Sequence, residues 1–174
     1  MCSLVKSGNV ESLKKYLKSI DQSSVNQLRH PLGWTPLHVA ITKNNVELVR
    51  ALIDFGADVN VIDEFTLPVE SPDNFADWVD RVTSRKREFG DSNINPLKDM
   101  HLSALHYAAL VENPDIVKAL MDKGADPFKV DDSGSVPKDY LSHRSPLMKT
   151  FDLYEKDFAE MTKEKERDKR RKCK

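Results

Sequence analysis

The sequence predicts an all-α solenoid of helix-turn-helix units, with an insertion between its second and third units. A stretch that begins at Thr35 is repeated from Ser103 onward. Each copy has the residue pattern of two short helices joined by a turn. The separation between the copies is about twice the roughly 33 residues of a compact helical repeat. Additional chain must therefore lie between them.

The two copies share many residues in the same order and at the same spacing. The positions that recur are Leu37, His38, Ala40, Asn45, Val49, Ala51, Leu52, Asp54, Gly56, Ala57 and Asp58, which return as Leu105, His106, Ala108, Asn113, Val117, Ala119, Leu120, Asp122, Gly124, Ala125 and Asp126. This agreement indicates an internal repeat, in which each unit buries its apolar face against its neighbours.

Each copy begins with residues that favour the start of a helix. The hydroxyls of Thr35 and Ser103 can accept a free backbone N–H, and Pro36 suits the first helical position because it has no N–H to leave unpaired. Apolar residues then return at helical spacing until Gly56 and Gly124, which suit the left-handed conformation that ends a helix. Two helices per copy are therefore predicted.

The motif Thr-Pro-Leu-His at residues 35–38, followed by Gly-Ala-Asp at residues 56–58, resembles the signature of the ankyrin repeat. His38 and His106 occupy the histidine position of that motif. The resemblance favours a structural hydrogen bond from each histidine to the cap hydroxyl of its own repeat. The alternative is a metal-binding or catalytic histidine.

We divide the chain into an ankyrin-repeat domain over residues 1–142 and a charged linker helix over residues 151–174. The predicted units are a degenerate first repeat over 1–33, a repeat over 34–63, an insertion over 64–101, a repeat over 102–134 and a capping repeat over 135–150. The last unit is a cap because Lys138 and Asp139 stand where a core leucine and the motif histidine would stand. A charge there favours the end of the stack.

Two segments offer candidate contacts for a protein partner. In the loop before the second repeat these are Arg29, His30, Leu32 and Trp34, although Trp34 can equally pack beneath that loop. In the insertion they are Phe75, Trp78, Val79 and Val82, which fall at i, i+3, i+4 and i+7 on one apolar helical face. That face either covers the stack itself or presents an aromatic anchor to a partner.

The end of the chain continues a helical pattern. Phe151, Tyr154, Phe158 and Met161 form a stripe that is predicted to dock on the last repeat. The segment from Lys163 to Lys172 is basic, with no aromatic residue and no apolar face. We therefore expect a solvated linker helix there, and no nucleic-acid or membrane binding.

Composition and motifs argue against several functional classes. The 27 Lys and Arg residues nearly cancel the 28 Asp and Glu residues, so no overall field attracts nucleic acid. No targeting peptide is visible, and no apolar run approaches the roughly 20 residues of a membrane span. The sequence also lacks a G-x-x-x-x-G-K-[ST] loop and any recognisable catalytic or metal-ligand grouping. We expect no enzymatic activity, cofactor or metal in this segment.

The order of the segments resembles one family in particular. A degenerate repeat, "HPLGWTPLHVA", "GADVNVIDEF", a charged insertion, "LSALHYAAL", "GADPFKVDDSGSVPKDY" and a charged helix are similar to the N-terminal ankyrin domain of animal mitochondrial ClpB-like AAA+ protein disaggregases. The resemblance implies a non-catalytic domain that precedes an ATPase module, where ATP and Mg²⁺ bind. It also implies self-association and unfolded client proteins as partners, in the mitochondrial intermembrane space.

A second functional class stays open at this stage. Ankyrin arrays bind many different partners, so the fold alone does not choose among them. The alternative function is a free-standing ankyrin adaptor that binds one specific folded protein.

Overall fold

The computed structural model describes residues 1–29, 33–64 and 101–172. Regular structure in these ranges is helical, apart from an isolated antiparallel bridge between Ile62 and Ser103. None of the helices in these ranges has the length and apolar composition needed to cross a membrane. The elements are α1 (Cys2–Ser7), α2 (Val10–Leu17), α3 (Ser24–Gln27), α4 (Pro36–Thr42), α5 (Val46–Phe55), α6 (Ala104–Val111), α7 (Pro114–Asp122), a 3₁₀ helix (Pro137–Tyr140) and α8 (Leu147–Lys172).

The helices stack in two rows. The first helices of successive repeats form one row, in which α1 packs on α4, α4 on α6, and α6 on the 3₁₀ helix. The second helices form the other row, in which α2 packs on α5 and α5 on α7. The interior between the rows contains fully buried apolar residues such as Leu37, Leu52, Leu105 and Leu120. The small Ala40 and Ala108 are also fully buried, which lets neighbouring helices approach closely.

The first repeat is more complete than its sequence indicated. Its first half forms the short helix α1, whose Val5 is buried. Its second half begins at Asn9, whose side chain accepts a hydrogen bond from Ser12 N at 2.9 Å. Asn45 makes the corresponding bond to Leu48 N at 3.1 Å. Both repeats thus start their second helix with the same asparagine cap.

The two ends of the insertion meet at one place on the stack. Asp63 N donates to Leu102 O at 3.0 Å, and Leu102 N donates to the Asp63 carboxylate at 2.7 Å. The bridge between Ile62 and Ser103 lies directly beside this pair. Because the chain leaves and returns at the same point, repeats two and three stack on each other without interruption.

Asparagine side chains also join the turns of successive repeats. Asn60 Nδ2 donates to Gly124 O at 3.1 Å, and Asn60 Oδ1 accepts from Asp126 N at 2.7 Å. Asn26 makes the same two bonds one repeat earlier, to the backbone of residues 56–58, at 3.2 and 2.8 Å. Each side chain satisfies one carbonyl and one amide of the next turn, so it fixes the spacing between repeats.

Replacing Asn60 by alanine should therefore weaken the stack. Two hydrogen bonds are lost, and we expect the free energy of unfolding to fall by about 1 to 2 kcal/mol. Urea denaturation followed by circular dichroism measures this change. The control is Lys43→Ala, at an exposed position after α4, which should change stability by less than about 0.5 kcal/mol. Equal effects of the two substitutions would contradict the role given to Asn60.

Helix α8 starts earlier than predicted. It begins at Leu147 rather than at residue 151, because Ser145 Oγ accepts a hydrogen bond from Leu147 N at 3.3 Å. Leu147 is itself buried. The last helix is therefore anchored by residues that the sequence had placed in the capping repeat.

The first half of α8 docks on the last full repeat. Phe151 is fully buried, and the Tyr154 hydroxyl lies 3.0 Å from Met121 O and 2.8 Å from Ala125 O. The predicted docking does not extend to Met161, which is 45% exposed. The prediction was wrong for this residue because the helix has passed the edge of the stack by that point.

The capping repeat uses its two charges in different ways. The Asp139 carboxylate accepts a hydrogen bond from Val136 N at 2.9 Å, so it caps the 3₁₀ helix. Lys138 Nζ contacts the Asp152 carboxylate and lies 3.4 Å from Glu155 Oε2, both on α8. Lys138, which stands where a core leucine would stand, is thus paired with acidic residues of α8.

Candidate interaction surface

The motif histidines fasten the starts of the two first helices. His38 Nδ1 lies 2.9 Å from Thr35 Oγ1 and accepts a hydrogen bond from Thr35 N at 3.2 Å. His106 Nδ1 lies 2.7 Å from Ser103 Oγ and accepts from Ser103 N at 3.1 Å. His106 Nε2 faces Ser135 O at 3.2 Å, which places the ring proton on Nε2. The expected hydrogen bonds to the cap hydroxyls are present in both repeats.

Burial determines the charge of His38. Its ring is completely buried, and burial, followed by the nearby positive charge of Arg29, lowers the pKa of His38 to about 3. The ring is therefore neutral at physiological pH and is already held by its own repeat. In the part of the chain that the structure describes, no cluster of histidine, cysteine and acidic residues could hold a metal ion.

Trp34 belongs to a buried chain of hydrogen bonds beside the ends of the insertion. Trp34 Nε1 donates to Tyr107 Oη at 2.8 Å, and the two rings meet edge to face at 6.1 Å. The Tyr107 hydroxyl donates in turn to the second carboxylate oxygen of Asp63. The first oxygen of Asp63 holds Leu102 N. These three hydrogen bonds thus link the start of repeat two to both ends of the insertion.

Trp34 is not a surface contact residue. Only 7% of it is exposed, because its ring packs against Tyr107. The prediction that Trp34 binds a partner was wrong, and the alternative of packing within the protein is correct.

Arg29 is largely engaged within its own chain. Its guanidinium donates to Asn26 O at 2.6 Å and to Leu28 O at 3.3 Å. It also lies 3.5 Å from Glu64 Oε1, and 26% of its side chain is exposed. Arg29 therefore ties the loop before repeat two to the start of the insertion, and only part of its side chain can face a partner.

The remaining predicted contact residues lie outside the described residues. They are His30 and Leu32 in the loop, and Phe75, Trp78, Val79 and Val82 in the insertion. The described part of the chain fixes the positions from which both segments depart. Gly33 and Glu64, at their borders, are joined by a backbone hydrogen bond of 3.1 Å.

The repeat places two buried aspartates in equivalent positions with opposite pKa directions. Burial raises the pKa of Asp63 to about 6, against the opposing hydrogen bonds of Tyr107 and Leu102. Burial also acts on Asp131, but its hydrogen bonds from Ser133, Ser135 and Tyr140 outweigh it and leave the pKa of that carboxyl below its usual value. The difference follows from the number of donors around each carboxylate.

Sequence analysis did not single out Asp63 and Tyr107. A signal was present, because an aspartate recurs in the two copies as Asp63 and Asp131. A tyrosine also follows at the same position of each succeeding first helix, as Tyr107 and Tyr140. Both pairs are in contact in the structure.

Comparison with known proteins confirms the predicted repeat. Residues 32–64 and 100–132 match the family model described as ankyrin repeat. These two segments include the helix pairs α4–α5 and α6–α7 with their capping residues. The prediction of an all-α ankyrin solenoid is therefore confirmed.

Curated proteins similar to the chain point in the same direction. It is 28% identical to the mitochondrial disaggregase of Bos taurus over 170 residues, which is 97% of the chain and 25% of that protein. It is 24% identical to the mitochondrial disaggregase of Homo sapiens over 200 aligned residues, covering 97% of the chain and 28% of that protein. The chain thus spans about a quarter of the length of these relatives.

For a shorter relative, the alignment covers a smaller share of the chain and a larger share of the relative's own length. Protein phosphatase 1 regulatory subunit 27 of Homo sapiens is 25% identical over 137 residues. The alignment covers 79% of the chain and 65% of that protein.

Proposed function

We propose that the chain, which contains two segments that match the ankyrin repeat and is similar along nearly its whole length to mitochondrial disaggregases, is the non-catalytic protein-interaction domain of such a disaggregase. In this function it binds unfolded or aggregated client proteins and supports oligomer assembly in the mitochondrial intermembrane space. ATP and Mg²⁺ then bind to an ATPase module outside residues 1–174. The domain itself supplies protein-binding surface.

The observation that carries this proposal is the meeting of the two ends of the insertion at Asp63 and Leu102. The stack of repeats two and three supports both ends through these contacts, and we assign the chain between them to binding. Long connections without a role in the core are commonly functional in compact domains. The apolar sequence pattern from Phe75 to Val82 supports the same assignment.

Sedimentation velocity tests this proposal. The wild-type chain is compared with a double variant, Trp78→Ala with Val82→Ala, each alone and with a reduced, unfolded client protein. We expect the wild type to self-associate or bind the client, and the double variant to lose at least tenfold in affinity with unchanged helix content. The matched control is Leu153→Ala, an exposed apolar residue on α8. Binding that survives the double substitution would contradict the assignment.

The second candidate function is an ankyrin adaptor for one folded protein. The similarity to protein phosphatase 1 regulatory subunit 27 favours it, because the alignment covers a larger share of that relative than of the disaggregases. An adaptor should bind its folded partner and show no preference for unfolded proteins. The reading frame of the natural transcript separates the two candidates, since an ATPase module after Lys174 supports the first and a stop codon supports the second.

A further inference from the structure

An apolar patch lies where α8 leaves the stack. It consists of Phe128, Tyr154, Phe158 and Met161, and we call it the α8 patch. The Phe128 and Phe158 rings meet at 6.3 Å and the Tyr154 and Phe158 rings at 5.8 Å. Met161 lies one helical turn beyond Phe158, on the same side of the helix. Phe128 is 48% exposed and Met161 45%, so the patch is accessible to solvent.

The position of Phe128 in the repeat explains its exposure. It aligns with Asn60, whose side chain bridges to the turn of the following repeat. A phenylalanine cannot make these two hydrogen bonds, and its ring instead contacts Phe158 on α8. Since α8 covers only part of the ring, the joint between the last repeat and the helix leaves apolar surface exposed. Exposed aromatic clusters of this kind are typical of protein-binding sites.

The border of the α8 patch is acidic. Asp122 and Asp126 lie near the Tyr154 hydroxyl, and burial followed by these two carboxylates raises the pKa of Tyr154 to about 12. Asp157 is exposed and precedes Met161 by four residues, which places both on one side of α8. Asp126 Oδ1 also accepts a hydrogen bond from Phe128 N at 2.9 Å, so carboxylates border the patch both next to Phe128 and on α8.

Two basic residues near the patch are directed toward the preceding repeat. Lys123 Nζ lies 3.5 Å from the Asp54 carboxylate, and Lys129 Nζ donates to Asn60 O at 2.7 Å. Lys165 lies one turn beyond Met161 and marks the far end of the patch. Lys123 and Lys129 are therefore engaged with the preceding repeat, whereas the carboxylates of Asp122 and Asp157 are exposed and can face a cationic partner.

We propose that the α8 patch is a docking site for a cationic amphipathic helix of another protein. The apolar face of such a helix covers Phe128, Phe158 and Met161, while its lysines and arginines face the carboxylates at the border. The partner helix needs both features. An apolar face alone would leave the carboxylates at the border unpaired, and a basic segment alone would leave the rings exposed. The patch contains no residue of the insertion, and the proposal does not depend on which of the two functions above is correct.

Binding of a synthetic peptide to the 174-residue chain tests the proposal. The probe is a fluorescent helix of about 18 residues, five helical turns, with leucines on one face and arginines on the other. Fluorescence anisotropy should give saturable binding that weakens at least fivefold when salt rises from low to physiological ionic strength. Peptides with glutamines for the arginines, or with the same residues scrambled, should bind at least tenfold more weakly.

Two matched pairs of variants locate the site. Phe128→Ser should weaken binding at least tenfold, whereas Tyr16→Ser, at a partly exposed aromatic position on α2 in the first repeat, should not. Asp157→Lys should weaken binding several-fold and reduce its salt dependence, whereas Glu47→Lys on α5 should do neither. Unchanged circular dichroism shows that Phe128→Ser remains folded, and a destabilised variant is replaced by Phe128→Gln.

Three outcomes would overturn the proposal. The first is equal binding of the arginine and glutamine peptides, which would leave only non-specific apolar capture. The second is binding that is unaffected by both Phe128→Ser and Asp157→Lys. The third is concentration-dependent self-association that disappears in Phe128→Ser and excludes the peptide, which would assign the patch to a second copy of the chain.

Discussion

Replacing Trp34 by alanine is expected to lower the free energy of unfolding by about 3 to 5 kcal/mol. The substitution removes a large buried ring that packs edge to face on Tyr107. It also leaves the Tyr107 hydroxyl without the donor that orients it toward Asp63. The stability of a repeat stack depends on the interfaces between neighbouring repeats. We therefore expect Trp34→Ala to weaken the interface between repeats two and three. Urea denaturation followed by circular dichroism measures it.

Two further variants separate packing from hydrogen bonding. Trp34→Phe keeps most of the ring volume and loses the Nε1 donor, so we expect a cost of about 1 to 3 kcal/mol. Leu153→Ala removes an apolar side chain that is 64% exposed, and its effect should stay within about 0.5 kcal/mol. A Trp34→Ala variant as stable as Leu153→Ala would mean that Trp34 is on the surface, as one of the two sequence-based alternatives held.

The second large effect concerns Asp63, whose contribution to the free energy of unfolding should be lost as the pH rises from about 4 to about 6. Asp63 has a pKa of about 6 in the folded chain and a reference value of 3.8, so the folded state holds its proton more tightly than the unfolded state. The stabilisation is complete below the reference value and is lost as the pH passes the folded value. A shift of about two pKa units corresponds to about 3 kcal/mol.

Asp63→Asn provides the measurement. The asparagine cannot ionise, so the difference in unfolding free energy between variant and wild type should increase in favour of the variant from pH 4 to pH 7. The control is Asp131→Asn, at the equivalent position, where the pKa is lowered. Stability from Asp131 is present above its reference pKa and is lost in acid, so that variant should show the opposite trend. Parallel trends of the two variants would contradict the assigned environments.

Residue patterns predicted the repeat and its caps because those features are local. A hydroxyl, a proline and a histidine within four residues determine how the helix at Thr35 begins. Gly56 ends the following helix with a φ of 109°, a conformation that most other residues avoid. Such features need no knowledge of distant residues, and the structure contains them.

Contacts between distant residues were harder to predict. The bond from Trp34 to Tyr107 joins repeats two and three across the insertion, and the local sequence around Trp34 fits exposure as well as burial. The distinction depends on whether the repeats stack directly, which in turn depends on where the insertion begins and ends. The pKa of Asp63 likewise depends on how many donors the next repeat supplies.

The end of the stack was predicted only in part. The apolar stripe of α8 was recognised, but helical spacing alone does not show where the surface beneath it ends. Phe151 is buried and Met161 is exposed, although both fit the same periodicity. The point at which α8 leaves the stack depends on Phe128, which stands at the position that the bridging Asn60 has in the previous repeat.

The meeting of Asp63 and Leu102 makes the stack tolerant of changes in the length of the chain between them. The entropic cost of joining two fixed points rises by only about 0.6 kcal/mol for each doubling of the length of the connection. The hydrogen bonds that hold the two ends belong to the repeats themselves. Evolution could therefore lengthen, shorten or exchange this segment with little effect on the folding of the repeats. The same junction offers a place to graft a foreign domain onto the array.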